Sequence, residues 1–188
     1  MLHCSFHFQP GMLINETCSC SVYHEATVHW LLDHGADPYA GAGGSPACLS
    51  ISHAAEEGSL ETVNRLFKGG ADPTKGIPRK YAIMKEDEDG KNTIELFLDH
   101  GCDINDVHSN GISYHGRPRR EPGTVLHSAT WWNCHHMILF LLEKGTDPLK
   151  LNENGLTPAR YALKNESEET ANILAEAERR ARGRTNSA

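Results

Sequence analysis

The sequence predicts an all-α protein, an α-solenoid of about five stacked helix-turn-helix repeats. The first observation is that a leucine- or phenylalanine-rich segment followed by a Gly-x-Asp turn occurs four times. The second is the regularity of these copies, because their glycines at positions 35, 70, 101 and 145 are 35, 31 and 44 residues apart. Recurrence at a period of 20 to 50 residues is typical of repeat proteins. The four copies lie at residues 31–38, 66–73, 97–104 and 141–148.

The clearest repeat spans residues 124–148. A first helix carries Leu126 and Ala129, a break is expected at Asn133, a second helix has Ile138 and Leu141 on one side, and the repeat stops at a glycine. Each helix is short and apolar on one face only, so it needs a neighbour to be stable in water. Stacking of successive pairs is therefore the predicted source of stability.

The ends of these helices also have sequence signals. Glycine after each second helix suits a left-handed residue, and Asn133 tolerates the same conformation after a first helix. Thr124 and Thr157 are predicted N-caps, and Pro158 at the next position lacks only an amide hydrogen that the helix does not need.

These motifs resemble the ankyrin repeat family over about residues 25–180. Residues 124–129 fit its first-helix motif, with Val125 in place of proline, and residues 155–158 fit the start of the same motif. The second and third repeats depart further from the pattern. The resemblance implies a non-catalytic protein–protein interaction scaffold without cofactor, which binds a partner protein through its concave face, its hairpin tips and an extended loop.

The domain boundaries follow from the repeats. We predict an irregular N-terminal cap or partly disordered segment at 1–24, a repeat domain at 25–183 and a tail at 184–188. The acidic run from Glu86 to Asp89 and Gly90 is expected to lengthen a turn between helices, and residues 166–182 are expected to form the closing helix. The repeats are placed at 25–39 (partial), 40–73, 74–106, 123–150 and 151–183, with an insertion loop at 107–122.

Composition and charge disfavour nucleic-acid binding, membrane association and secretion. With 18 basic and 25 acidic residues the formal charge is −7, which disfavours binding to nucleic acid. The longest apolar run, at 137–142, is far shorter than the roughly 20 residues that cross a bilayer. The first residues lack the pattern of a secretory signal. We therefore expect a cytoplasmic or nuclear protein with no membrane association.

Several residues are candidates for partner recognition. Trp131 and Trp132 fall at the end of a first helix, where polar residues are usual, and exposed tryptophan is common in interface hot spots. The structural alternative is that one of them covers the neighbouring repeat. In the insertion loop, three arginines beside a tyrosine could bind an acidic group or could simply be solvated. These loop residues are Tyr114, Arg117, Arg119 and Arg120.

The hairpin tips supply four more recognition candidates, which are Tyr39, Lys75, Asp106 and Lys150. The aspartates that begin each tip are expected to stabilise their own turns. Asn105 also resembles the asparagine that a dioxygenase hydroxylates in some ankyrin proteins.

The alternative function is a small metal- or ligand-dependent enzyme, or a zinc protein. Cys134, His135 and His136 form one Cys/His group, and Cys134 could be paired with His127 for nucleophilic catalysis. The N-terminal group contains Cys18 and Cys20, which are separated by one residue rather than the two to four usual at zinc sites. We therefore predict no metal site and no catalytic residue. The full N-terminal group is Cys4, His7, Cys18, Cys20 and His24.

Overall fold

A computed structural model describes residues 25–38, 50–74, 82–85, 87–107 and 123–185. Every element within these residues is an α-helix, and there are eight of them. This confirms the all-α prediction. The expected cap at 1–24 and most of the insertion loop, residues 108–122, lie outside the described residues. The helices are α1 (Glu25–Asp33), α2 (Ser50–Glu57), α3 (Leu60–Lys68), α4 (Asp87–Asp99), α5 (Val125–Trp131), α6 (His135–Glu143), α7 (Pro158–Lys164) and α8 (Glu168–Thr185).

The chain divides into two compact units, residues 1–78 and 79–188. In the first unit α2 pairs with α3, and α3 packs on α1. In the second unit α5 pairs with α6 and α7 pairs with α8. First helices pack on first helices, α5 on α7, and second helices on second helices, α4 on α6. This is the stacking that the repeated sequence predicts.

The same hydrogen-bonded turn ends the second helices α1, α3, α4 and α6. The glycine after each helix has a φ between 77° and 95°, as the sequence predicted. Its amide bonds to the carbonyl three residues earlier, and the next amide bonds to the carbonyl five residues earlier at 2.9–3.1 Å. This is the Schellman arrangement, which satisfies carbonyls that a helix end leaves without a partner. The buried acceptors of the second bond are Leu31, Leu66, Phe97 and Leu141.

The first helices α5 and α7 end in a related way without glycine. Asn133 has a φ of 51°, and the amide of Cys134 bonds to the carbonyl of Ala129 at 3.0 Å. The left-handed conformation predicted for Asn133 is therefore confirmed. Glu166, at the equivalent turn after α7, has a φ of 58°. The closing helix consequently begins at Glu168 rather than at Glu166, and it extends to Thr185, two residues into the predicted tail.

The interpretation of the acidic run as an extended turn is wrong. Residues from Asp87 to Gly90 form the first turn of α4, which has 13 residues where α3 and α6 have nine each. A Cβ at Gly90 would lie 2.7 Å from the carbonyl oxygen of Ala82 and 3.1 Å from Cε of Met137. Glycine is therefore present for close packing, and carboxylates in a first turn are favoured by the helix dipole.

Polar side chains join successive repeats at the start of the second helices. In the first unit, Glu25 accepts a hydrogen bond from the amide of Ser59 at 3.0 Å and further bonds from the hydroxyls of Ser59 and Thr62. Because the Thr62 hydroxyl donates to Glu25, it accepts from Nε2 of His29 at 2.6 Å. Burial raises the pKa of Glu25, but these hydrogen bonds and the nearby His29 outweigh it and lower the pKa below its ordinary value of 4.5.

A core substitution tests the packing of the second unit. Leu141 is fully buried in α6, whereas Leu139 on the same helix is 56% exposed. Leu141→Ala should lower the free energy of unfolding by about 2–5 kcal/mol because it leaves a cavity. Leu139→Ala, the matched control, should change it by no more than about 0.5 kcal/mol. Urea unfolding followed by circular dichroism measures both, and equal losses would contradict this packing.

The Glu25 network predicts a pH dependence with a defined sign. A carboxyl whose pKa is lowered by folding stabilises the native state above its unfolded pKa and loses that contribution as pH falls through the folded pKa. Wild type should therefore exceed Glu25→Gln in unfolding free energy at pH 7, and the difference should shrink as pH falls below 4.5. Glutamine keeps the acceptor oxygen, so the comparison isolates the charge. A difference that stays constant between pH 7 and acid would count against this prediction.

Candidate protein-interaction site

A buried histidine holds the segment between α6 and α7 in place. Nδ1 of His127 accepts from the amide of Thr124 at 3.2 Å, and Nε2 donates to the carbonyl oxygen of Leu156 at 3.0 Å. Since an amide can only donate and a carbonyl can only accept, the ring is fixed with its hydrogen on Nε2. Thr124, the predicted N-cap, holds the same ring through its hydroxyl at 2.9 Å. One side chain thus links the start of repeat four to the start of repeat five.

The hairpin tips are held by their aspartates. The carboxylates of Asp72, Asp103 and Asp147 each accept from the amide two residues later at 2.8 Å. This confirms the structural role expected for them. The residues three positions after Asp103 and Asp147 are Asp106 and Lys150, whose charges are opposite. A fixed backbone therefore presents different side chains from one repeat to the next.

Asn105 connects two neighbouring tips. Its own amide donates to Asp103, and its side-chain oxygen accepts from the amide of Asp147 at 2.7 Å. The candidate for hydroxylation is thus part of the turn geometry. This contact gives Asn105 a structural role that the sequence did not indicate.

The two tryptophans predicted for recognition differ in their surroundings. Trp131 is 36% exposed, and its ring is stacked on Tyr161 of α7 with centroids 6.2 Å apart. Trp132 is 43% exposed and lines an open groove of about 710 Å³. The structural alternative therefore describes Trp131, which covers part of the neighbouring repeat.

The predicted recognition residues of the second unit lie on two separate edges. Trp131 and Trp132 precede α6, whereas Lys150 follows it and Asp106 follows the adjacent α4. Nine helical residues with a rise of 1.5 Å place these edges roughly 14 Å apart. We call them the turn edge (residues 131–136) and the hairpin edge (residues 103–107 and 147–150).

Comparison with known proteins identifies the family. The profile described as ankyrin repeats in three copies matches residues 51–150 and 81–182. The chain belongs to the ankyrin repeat family. Over 104 residues it is also 30% identical to the mitochondrial disaggregase of Bos taurus, a match that covers 55% of this chain and 14% of that protein. Ankyrin repeats are generally protein–protein interaction modules and are typically non-enzymatic.

The Cys/His group of this ankyrin chain does not converge as the metal alternative requires. Sγ of Cys134 lies 3.4 Å from Nε2 of His136, but His135 contacts Thr170 at 2.8 Å. Among the residues described, no three histidine, cysteine or acidic side chains are arranged to hold a metal ion. His127, considered as a partner for Cys134, is bonded to Thr124 and Leu156 instead. The N-terminal Cys/His group lies outside the described residues.

Two exposed features of the ankyrin repeats were missed from the sequence. Trp30 on α1 is 58% exposed and stacks on His34 with centroids 4.0 Å apart. The sequence contained a signal for the exposure of Trp30. The equivalent position of the next repeat, also five residues before the final glycine, is occupied by Arg65, and a charged residue there indicates an exposed position. Lys85 and Met84 contribute to the groove beside Trp132, and only the fold brings them there.

The remaining predicted recognition residues, Tyr39, Lys75 and the loop set, lie outside the described residues. The residues of the loop set are Tyr114, Arg117, Arg119 and Arg120.

None of the helices in the described ranges combines the length and the apolar character that crossing a bilayer requires.

The contact between Trp131 and Tyr161 can be measured directly. A double-mutant cycle with Trp131→Leu and Tyr161→Leu should give a coupling free energy of about 0.5–1.5 kcal/mol, since stacked aromatic pairs contribute this beyond their buried area. The control cycle replaces Tyr161→Leu by Leu163→Ala, an exposed residue two positions further along α7 that faces another side of the helix, and it should show no coupling. Coupling of the same size in both cycles would exclude a specific stack. Unfolding in urea supplies all four free energies of each cycle.

Proposed function

We propose that this chain is a non-catalytic interaction module that binds a partner protein. The observation that carries the proposal is the pair of edges in the second unit, where charged and aromatic side chains are presented on hydrogen-bonded turns. A rigid surface loses little conformational entropy on binding, so its contacts contribute more fully to affinity. On this proposal the recognition residues are those predicted from the sequence.

The turn edge would supply most of the binding energy. Trp132 offers a large side chain with few rotatable bonds, and Trp131 is already oriented by its stack on Tyr161. Tryptophan is among the residues most enriched at positions that dominate interface energetics. The hairpin edge, with Asp106, would instead select the partner through charge. The proposal extends this role to Tyr39 and to the loop residues Tyr114, Arg117, Arg119 and Arg120.

The likeness to the mitochondrial disaggregase is confined to a segment, and it does not support a shared activity. The matched part is 14% of that protein, so the rest of it has no counterpart in the alignment. Binding of a partner by the repeats is the property that such a segment could have by itself.

The proposal is tested by affinity capture from native cell extract with quantitative comparison of variants. We expect one or more proteins to be retained by the wild-type chain, and Trp132→Ala and Asp106→Ala each to reduce that retention by at least about fivefold. A variant lacking residues 108–122 tests the loop. Glu153→Ala, an exposed side chain outside both edges, is the control.

Unfolding must be separated from loss of binding. Each variant should keep the helicity of wild type by circular dichroism before its retention is compared. Equal retention by wild type and by the variants of both edges and the loop would remove these surfaces from consideration. Consistent absence of any specifically retained protein would overturn the interaction function itself.

A further inference from the structure

The outer side of the pair formed by α7 and α8 can be compared, position by position, with that of the pair before it. A threonine N-cap precedes both first helices, α5 and α7. The residues three, six and nine positions after these caps are therefore equivalent. We call the set in the later pair the end face. The equivalent residues are His127, Thr130 and Asn133 in the earlier pair and Arg160, Leu163 and Glu166 in the end face.

In the earlier pair, two of these positions bond to the repeat that follows. Nε2 of His127 donates to the carbonyl oxygen of Leu156, just before α7, at 3.0 Å. The side-chain oxygen of Asn133 accepts from the hydroxyls of Ser167 and Thr170 at the start of α8. A donor and an acceptor thus hold the next helix pair at two points.

A glutamate already fills the acceptor position in the first unit. Glu25 accepts from the amide and hydroxyl of Ser59 and from the hydroxyl of Thr62, at the start of α3. The serine lies 34 residues after its acceptor here, as Ser167 does after Asn133. A carboxylate at this position satisfies the first donors of a helix and is favoured by the helix dipole. Glu166 therefore has the chemistry to hold a helix that begins with Ser-x-x-Thr.

Two features of the end face favour a covered surface over a solvated one. Leu163 is 61% exposed, whereas Thr130 at the equivalent position is 1% exposed. A repeat whose outer side meets only water is expected to carry polar residues there, so leucine in place of threonine is the opposite change. Glu166 has a φ of 58°, which costs roughly 1 kcal/mol and which asparagine tolerates better. Backbone strain of this kind occurs preferentially at functional sites.

We propose that the end face binds a helix pair of a partner protein whose second helix begins with a Ser-x-x-Thr sequence. The carboxylate of Glu166 accepts from that serine and threonine. Leu163 packs on the first helix of the partner pair, and Arg160 donates to a backbone carbonyl in front of that helix. The contacts that join successive repeats within this chain are thereby continued to the partner. This surface is separate from the turn edge and the hairpin edge, so the inference adds to the proposed function and does not depend on those edges.

A helix pair taken from this chain tests the proposal on the full chain. The probe is a synthetic peptide of residues 155–178, which the preceding pair binds within the chain, with one lactam bridge holding each helix. The control probe carries Ser167→Ala and Thr170→Ala. Titration followed by amide NMR shifts should show the probe perturbing residues 160–168. The control probe should bind at least about fivefold more weakly, because it lacks both hydroxyl donors.

Substitutions in the end face must change the same affinity. Glu166→Gly should raise the Kd of the probe at least about fivefold, because glycine keeps the left-handed turn and removes the acceptor. Glu166→Asn should bind more tightly than Glu166→Gly, since the amide oxygen of Asn133 accepts from the same two hydroxyls. A purely structural role of Glu166 would change the unfolding free energy in Glu166→Gly and leave the Kd unaltered.

Two leucines provide a matched comparison. Leu163→Ala should raise the Kd about fivefold, because the proposal buries this side chain on binding. Leu139→Ala, an exposed leucine on α6 outside the end face, should change the Kd less than twofold. Retained dispersion of the amide spectrum shows that each variant is folded.

Three results would overturn the proposal. They are equal binding of the two probes, an unchanged Kd in both Glu166→Gly and Leu163→Ala, or no perturbation of residues 160–168 by millimolar probe. Perturbation centred on residues 124–137 would mean that the probe displaces the chain's own repeat, and it would also count against the end face. The capture experiment decides the interaction function separately, because its variants leave the end face unchanged.

Discussion

The left-handed residue at the end of a helix is the constraint on which these repeats depend. At the ends of α1, α3, α4 and α6 a glycine with positive φ lets the following amide reach a buried carbonyl five residues earlier. The chain is thereby reversed at a fixed point, and the next apolar side chains arrive against the preceding pair. Asn133 and Glu166 perform the same reversal after first helices. For an L-residue other than glycine this conformation costs roughly 1 kcal/mol, which the hydrogen bonds at these turns offset.

The same turns place the candidate binding surfaces. Because the chain reverses both within and after the pair of α5 and α6, this repeat offers one edge where its two helices meet and another where it passes to the next repeat. Asn133 illustrates the coupling, since its side-chain oxygen accepts from the hydroxyls of Ser167 and Thr170 in the following repeat. Asn105 does so on the other edge by accepting from Asp147. Both edges are thus held by contacts between repeats, and their exposed side chains can differ without altering these contacts.

The sequence predicted helix ends correctly where a residue type favours a single local conformation or role. Glycine after a leucine-rich helix and threonine before a first helix take the expected positions. The acidic run at the start of α4 was misread because carboxylates and glycine are common both in turns and in first helical turns. Only the approach of Ala82 and Met137 to Gly90 distinguishes the two. For the candidate site, the sequence did not predict that one tryptophan stacks on Tyr161 and the other lines a groove.

The amino-acid sequence by itself determined the repeat, its period and the helix ends, because these depend on local conformational preferences and on apolar spacing within about 33 residues. Tertiary structure decided which residues from different repeats meet. It set Trp131 on Tyr161, His127 on the carbonyl of Leu156, and Lys85 beside the start of α6. These contacts join positions about 30 to 50 residues apart, and their geometry depends on how closely the helix pairs pack. No local signal specifies that distance.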